Sequence, residues 1–140
     1  MLQGNVIMKL KNLHSKFQLC IVVALLLAVL FTATSCITAQ ERKSLAENYI
    51  DLGNSYMELK KWDKAAASYA RALELDPENL GGAYNYARAL IETGKIKEAI
   101  ALAEKLVAKE PENTLFLTVL AYAHYKAGNY DTAIAIYRKV

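Results

Sequence analysis

Apolar and polar side chains alternate along much of the chain with the spacing of helices. Small or apolar residues stand at i, i+3, i+4 and i+7 in one stretch, namely Tyr49, Leu52, Gly53 and Tyr56. The same spacing returns after a break, beginning at Ala65. This periodicity predicts two helices, each with one apolar face, separated by a turn.

The helical pattern repeats along the chain with a constant period. Pro77 and Pro111 are separated by one such period. These prolines stand inside the similar phrases 76–79 and 110–113. The same step relates three sets of small or apolar residues: Leu52, Tyr86 and Leu120; Gly53, Ala87 and Ala121; Ala65, Ala99 and Ala133. Such a period is typical of stacked helical pairs that bury their apolar faces on one another. We therefore predict a repeat domain over residues 44–140, with repeats 46–79, 80–113 and 114–140, the last incomplete.

Turn and capping residues set the predicted helix ends. Ser44 and Glu47 have the spacing of a capping box at the start of the first helix. The turns inside the pairs are predicted at Lys60-Lys61, Gly94-Lys95 and Gly128-Asn129. Trp62, Ile96 and Tyr130 are predicted to precede the second helices and to staple their starts. Large residues are predicted to fill the core beside the small ones: Leu52, Tyr56, Tyr69, Tyr86, Leu90, Leu106, Leu120 and Tyr137.

These residues resemble the consensus of the tetratricopeptide-repeat family. In the first repeat the matching residues are Tyr49, Leu52, Gly53, Tyr56, Ala65, Tyr69, Ala72 and Pro77. The resemblance implies an all-α fold, a helix-turn-helix solenoid of about three repeats wound as a right-handed superhelix. An N-terminal hydrophobic helical leader would precede it. The family resemblance also implies a concave groove, lined by the first helix of each repeat, that holds an extended peptide or a helix of a partner protein.

Carried onto this sequence, the resemblance places eight residues in that groove: Asn54, Met57, Tyr84, Arg88, Ile91, Thr118, Tyr122 and Tyr125. Around them would lie Glu47, Ile50, Glu58, Glu92 and Lys126. Asn54 and Asn85 resemble the two asparagines with which chaperone-binding members hold a terminal carboxylate. The basic positions of that clamp are occupied by Ile50, Leu115 and Val119, so the clamp itself is not expected. Arg88 and Lys126 remain as groove cations, either for a ligand carboxylate or for Glu58 and Glu92.

The segment 1–39 is predicted to be an export leader. Lys9, Lys11 and Lys16 precede an apolar run over residues 19–31. The sequence Ala33-Thr34-Ser35-Cys36 resembles a bacterial lipobox, which predicts lipidation of Cys36. Cleavage after Ala39 to give a soluble exported protein, and an uncleaved anchor over residues 17–39, are the alternatives. All three place the repeats in the cell envelope, outside the cytoplasmic membrane.

Charge and residue types argue against nucleic-acid binding and catalysis. The net charge of +3 is that of the three leader lysines, and the remaining 14 Lys and Arg equal the 14 Asp and Glu. Without a basic face, no nucleic-acid partner is expected. The two histidines are His14, in the leader, and His124, predicted to be packed. With no phosphate loop, nucleophile motif or metal-ligand spacing, we expect no enzymatic activity, no metal and no cofactor.

The sequence predicts an exported scaffold, lipid-anchored at the membrane, that binds a protein or peptide in envelope assembly or secretion. The third repeat would extend to position 147 but stops at Val140, so its apolar edge at Ile134, Ile136 and Tyr137 lacks a cap. Two alternatives follow from this edge. The protein is a self-associating structural repeat protein, or these repeats are the front part of a larger one.

Overall fold

The computed structural model describes residues 38–140, together with positions 18, 21, 23 and 24, which are helical. The chain divides into two compact units, Met1–Glu41 and Arg42–Val140. Cys36 and most of the predicted leader lie outside the described residues. Among the residues that are described, no helix is long and apolar enough to cross a membrane.

The unit from residue 42 onward is built of helical pairs, and its described residues contain no strand. Residues 38–58 are helical, and we call the part over 42–58 helix α1. The helices that follow are α2 (Trp62–Leu75), α3 (Leu80–Glu92), α4 (Ile96–Lys109), α5 (Thr114–Lys126) and α6 (Tyr130–Tyr137). Each helix from α2 onward contacts the next, and α3 also contacts α5. The predicted all-α solenoid of three helical pairs is confirmed.

Small residues allow the helices of a pair to approach closely. Ala65, Ala87, Ala99 and Ala121 are completely buried. At Gly53 the approach is closest, because a Cβ added there would lie 2.5 Å from the ring of Tyr69. The largest fully buried side chains are Tyr69, Leu90, Ile91 and Leu106. The core thus alternates small and large residues, as the repeat pattern predicts.

Asparagine side chains begin the first helices of the second and third repeats. The Asn79 Oδ1 accepts a hydrogen bond from the Gly82 backbone N–H at 2.8 Å, and Asn113 Oδ1 accepts one from Leu115 at 3.0 Å. Helices α2, α4 and α6 have no side-chain cap. The side-chain caps therefore lie at the starts of α3 and α5, where each new repeat begins.

The turns inside the pairs lie where they are predicted. Lys60, Gly94 and Gly128 occupy the same position of the three repeats, with φ of 53°, 78° and 83°. Glycine adopts this left-handed backbone conformation readily, whereas a lysine adopts it at a cost in conformational energy. The first repeat therefore has backbone strain that the other two repeats avoid.

Three expectations about helix ends and core are wrong. Ser44 lies inside the helical stretch over 38–58, so the capping box at Ser44 and Glu47 is not formed. Trp62, Ile96 and Tyr130 are themselves the first residues of α2, α4 and α6 rather than residues preceding them. Two predicted core residues are exposed, Leu52 by 42% and Tyr137 by 43%, because each lies in an outermost helical pair of the Arg42–Val140 unit, where no further pair of that unit covers it.

Candidate functional site

A depression of about 570 Å³ lies on the side of the solenoid formed by the first helices. Helices α1, α2, α3 and α5 contribute its lining residues, which are Asn54, Met57, Glu58, Trp62, Tyr69, Arg88, Glu92 and Tyr122. Its volume falls within the range of small-ligand and peptide-side-chain sites. The depression therefore spans all three repeats.

Two residues that line the depression, Asn54 and Tyr69, form a hydrogen-bonded group with the neighbouring Asn85. The Tyr69 hydroxyl donates to the Asn54 Oδ1 at 2.7 Å, and the Asn85 Nδ2 donates to the same oxygen at 3.1 Å. Because this oxygen is satisfied twice, the orientation of the Asn54 amide is fixed. The Asn54 Nδ2 has no partner among the described residues, which leaves its two N–H groups for a ligand.

The ionisation of Tyr69 supports this arrangement. Burial raises the pKa of its phenol to about 12, although the positive charge of Arg88 opposes the rise. The hydroxyl therefore remains protonated over the physiological range and continues to donate to Asn54. Tyr69 is only 1% exposed, so it orients Asn54 from below rather than offering a wide contact surface.

The charged residues of the depression are not paired with one another. The Arg88 guanidinium lies 5.7 Å from the centre of the Tyr84 ring, and Lys126 lies 5.9 Å from that of Tyr122. The ion pairs found in the described part of the chain are Arg71 with Glu74 and Lys109 with Glu78. Neither pair includes Glu58 or Glu92, whose carboxylates line the depression. Contact of Arg88 with an aromatic face holds it beside these carboxylates without neutralising them.

The charges at one position of the repeat change sign along the domain. Glu58, Glu92 and Lys126 occupy equivalent positions in the three first helices, each one repeat from the next. All three side chains are exposed. The first helices thus present carboxylates on repeats one and two and an ammonium group on repeat three.

Four of the eight residues predicted for the groove line this depression: Asn54, Met57, Arg88 and Tyr122. Of the others, Tyr84 packs near Phe116, with ring centres 6.2 Å apart. Ile91 is 1% exposed and belongs to the hydrophobic core, so its side chain supports the wall from behind.

The remaining two predicted residues lie toward the third repeat. Thr118 is exposed, and its hydroxyl donates to the Thr114 carbonyl at 2.6 Å. Tyr125 is 54% exposed and lies between the rings of Tyr122 and Tyr130, at 6.4 and 5.6 Å. These tyrosines extend the aromatic surface beyond the depression.

Sequence reasoning misses two of the lining residues. Trp62 is predicted only to pack, yet it lines the depression from the start of α2. Tyr69 is predicted in the core, where it lies, but its hydroxyl reaches the depression and bonds to Asn54. The repeat consensus assigns each residue a packing role only. It therefore does not indicate that the Tyr69 hydroxyl or the Trp62 indole also reaches the surface of the depression.

The positions that would be basic in a carboxylate clamp are occupied by apolar residues with different surroundings. Ile50 packs partly buried against the cluster of Ala65, Ala66, Tyr69 and Ala89. Val119 is 3% exposed, and Leu115 is 56% exposed. The depression keeps the two asparagines without the cationic ring around them.

The described residues contain no group of three or more His, Cys, Asp or Glu that could hold a metal ion. The ring Nδ1 of His124 lies 3.4 Å from the Asn129 Nδ2, at the end of α5. This histidine joins the helix end to the following turn.

A known family has the repeats described above. Residues 39–140 match the model of the cytochrome c-type biogenesis protein H TPR domain. The chain belongs to this tetratricopeptide-repeat (TPR) family.

Curated relatives of this TPR protein include stress-induced-phosphoprotein 1 of Caenorhabditis elegans, 35% identical over 56% of this chain and 25% of the relative. An uncharacterized lipoprotein of Treponema pallidum is 31% identical over 69% of this chain and 50% of the relative. The chain therefore spans a quarter of the length of the Caenorhabditis elegans relative and half the length of the Treponema pallidum relative. Among solved structures, the TPR2B domain of yeast Sti1 in its pHsp70 complex is 26% identical. Its TM-score is 0.64, covering 69% of this chain and 77% of that one.

Proposed function

We propose that this TPR protein is an adaptor that binds an extended segment of a partner protein across the depression. The observation that carries the proposal is the fixed Asn54 amide at the depression, whose Nδ2 has no partner among the described residues. Each peptide bond has a carbonyl acceptor, so this amide donor suits a main chain in extended conformation, whose carbonyl groups are not used in a helix. The Sti1 domain, which shares the fold and was solved in its pHsp70 complex, supports binding at such a surface.

The side chains around the asparagines determine which segments the groove would accept. Met57, Trp62 and Tyr122 offer apolar contact area, and aromatic residues of this kind dominate many binding interfaces. Glu58 and Glu92 favour a cationic side chain near the first two repeats, whereas Lys126 favours an anionic one near the third. The ligand we propose is therefore an extended peptide with mixed charge rather than a uniformly acidic tail.

The groove proposal is tested with peptides selected by the wild-type protein from a random heptapeptide library. The variant Arg88→Gln/Glu92→Gln removes one cation and one anion from the depression while keeping the net charge. We expect it to weaken binding of the selected peptides about tenfold or more, since charge-assisted contacts are worth about 1.5–3 kcal/mol. Fluorescence anisotropy gives the dissociation constants.

The matched control is Lys97→Gln/Glu104→Gln, which makes the same two charge changes on exposed residues of α4, outside the depression. This control should bind as the wild type does. Equal affinity of both variants, or failure of the library to give any peptide that binds, would contradict the groove proposal.

We further propose that the adaptor is exported and lipid-anchored in the bacterial cell envelope, and that it acts there by tethering in assembly or secretion. The leader pattern ending at Cys36 supports this, as does the relation to a Treponema pallidum lipoprotein. The intact mass of the mature protein, isolated from its native host, tests the anchor. We expect an acylated chain beginning at Cys36, and a Cys36→Ala variant without the acyl mass. An unmodified chain beginning near Gln40 would instead mean a soluble exported adaptor.

A further inference from the structure

The first helix carries an apolar stripe that begins at its contact with α2 and continues onto an exposed surface. The stripe consists of Leu45, Tyr49, Leu52, Tyr56 and the turn residue Leu59, which we call the N-terminal leucine face. Its three leucines are 45%, 42% and 61% exposed, in chain order. Exposed leucines in a continuous row mark an interaction surface more often than scattered ones do.

The equivalent stripes of the inner repeats are covered. In the second repeat Ala83 is 7% and Leu90 2% exposed, and in the third Leu117 is 7% and Leu120 8% exposed. Ala83 lies in a cluster with Leu73 of the preceding repeat, and Leu120 lies in one with Leu90 and Ala103 of the preceding repeat. The first repeat has the same stripe within the Arg42–Val140 unit but no preceding helical pair of that unit. Terminal repeats of an array usually have a polar outer face, and this one does not.

The N-terminal leucine face is also longer than repeat stacking requires. Leu45 is equivalent to Asn79 and Asn113, and Leu59 is equivalent to Thr93 and Ala127. In the inner repeats, therefore, the ends of the stripe are polar or small, and the asparagines cap α3 and α5. The first repeat extends its apolar stripe at both ends, which lengthens it to about 21 Å at about 1.5 Å per residue. A helical pair of the inner type would leave these two leucines uncovered.

The spacing of the N-terminal leucine face is that of a coiled coil. Its residues are separated alternately by four and three positions, and a leucine recurs every seventh residue. This heptad pattern places one straight seam on the helix surface, and an identical seam is its natural complement. The pattern thus favours a second copy of the same helix as the occupant.

The charges on the two borders of the stripe determine the direction of that pairing. On one border α1 has exposed polar side chains, including the carboxylate of Asp51. On the other border lie basic residues of α2, since Lys64 is 5.7 Å from the Tyr56 ring centre and Arg71, which is paired with Glu74, lies near Tyr49. A two-fold axis parallel to the helices brings the acidic border of one copy against the basic border of the other. Antiparallel pairing would instead bring like charges together.

We propose that the N-terminal leucine face pairs with the same face of a second copy, so that the protein forms a parallel dimer through α1. Each copy then covers the three exposed leucines of the other. The dimer has both residue-42 ends on the same side. This interface lies on the outer edge of the first repeat, apart from the depression, which remains open for a ligand.

The proposal is tested by the mass of the full chain in detergent micelles, measured by light scattering with the detergent subtracted. The wild type should be a dimer at about 50 µM, and Leu45→Gln/Leu52→Gln/Leu59→Gln should weaken dimerisation by about tenfold or more. The matched control, Leu115→Gln/Ile134→Gln/Val140→Gln, replaces three residues of similar exposure, 49–56%, in the third repeat. It should dimerise as the wild type does. All three proteins should give the same helical circular dichroism spectrum, because every substituted residue is exposed.

A monomeric wild type would overturn the proposal, as would a dimer that survives the three leucine substitutions. Loss of the dimer in the control variant would overturn it too, since association would then run through the third repeat. A photo-crosslinking amino acid at position 45 gives an independent measurement that does not depend on dimer stability. Crosslinks to residues 41–49 of the other copy support parallel pairing. Crosslinks to residues near 59, or none between copies, contradict it.

Discussion

Leu52 and Leu120 occupy the same position of the repeat, yet Leu52 is 42% exposed and Leu120 is 8% exposed. Leu120 packs in a core with Leu90, Ile91 and Val119. Leu52 belongs to the N-terminal leucine face, which no other helical pair of the Arg42–Val140 unit covers. The same side chain therefore serves as core in one repeat and as surface in another, depending only on its neighbour.

This contrast shows that a residue at a consensus position of the repeat is buried only when a neighbouring repeat packs against it. A terminal unit that retains the consensus exposes part of what the inner units bury. Here the first repeat adds Leu45 and Leu59 to the exposed residues, so its outer edge is more apolar than stacking explains. Comparison of equivalent positions separates residues that support the fold from those available for binding.

The largest expected difference in stability is between the variants that truncate these two leucines. Leu120→Ala should lower the free energy of unfolding by about 2–5 kcal/mol, because it leaves a cavity in the core. Leu52→Ala should lower it by less than about 1 kcal/mol in the monomer, since its side chain is already partly in water. Urea unfolding followed by circular dichroism, at a concentration where the protein is monomeric, measures both.

In the measurement of dimerisation, the order of the two leucine variants should be reversed. Leu52→Ala weakens the dimer, and folded Leu120→Ala leaves it intact. If both variants lost the same stability, the first repeat would have a covered edge even in the monomer, and the comparison would fail.

A smaller effect is expected from a methyl group at two glycines. Gly53→Ala places a Cβ within 2.5–2.8 Å of three atoms of the buried Tyr69 ring, so we expect a loss of about 1–3 kcal/mol in unfolding free energy. The second repeat has Ala87 at this position with Ala103 at the equivalent of Tyr69, and the third has Ala121 with Tyr137, which is 43% exposed instead of buried. The comparison of repeats therefore extends to matched pairs of small and large residues.

Gly81→Ala is the matched control for that substitution. Gly81 is exposed in α3, and its nearest contact would be the Asn79 Oδ1 at 3.5 Å, an ordinary separation. Alanine there should stabilise the protein by about 0.5–1 kcal/mol through helix propensity. Thermal unfolding compares the two variants directly, and a neutral Gly53→Ala would mean that the Tyr69 ring moves aside without cost.

Much of the fold could be predicted from the sequence, because a regular repeat period reports the same packing three times. The small residues at Gly53, Ala87 and Ala121 and the turns at Gly94 and Gly128 lie where the period places them. The predicted helix start at Ser44 is wrong because local capping chemistry says nothing about a helix that begins earlier.

The candidate site could be predicted only in part. Asn54, Arg88 and Tyr122 line the depression as their register indicates. The bond from Tyr69 to Asn54 joins side chains on two helices, and register within one helix cannot reveal it. Nor could periodicity show that Ile91 is buried, since helices on both sides determine its exposure.

The change of charge from Glu58 and Glu92 to Lys126 gives the array a polarity. A surface of uniform charge would hold a segment equally well from amino to carboxyl end or in reverse. With carboxylates on the first two repeats and an ammonium group on the third, the two orientations differ in energy. A segment bound in the proposed groove would therefore run in one direction only, so that one of its ends always lies at the first repeat and the other at the third.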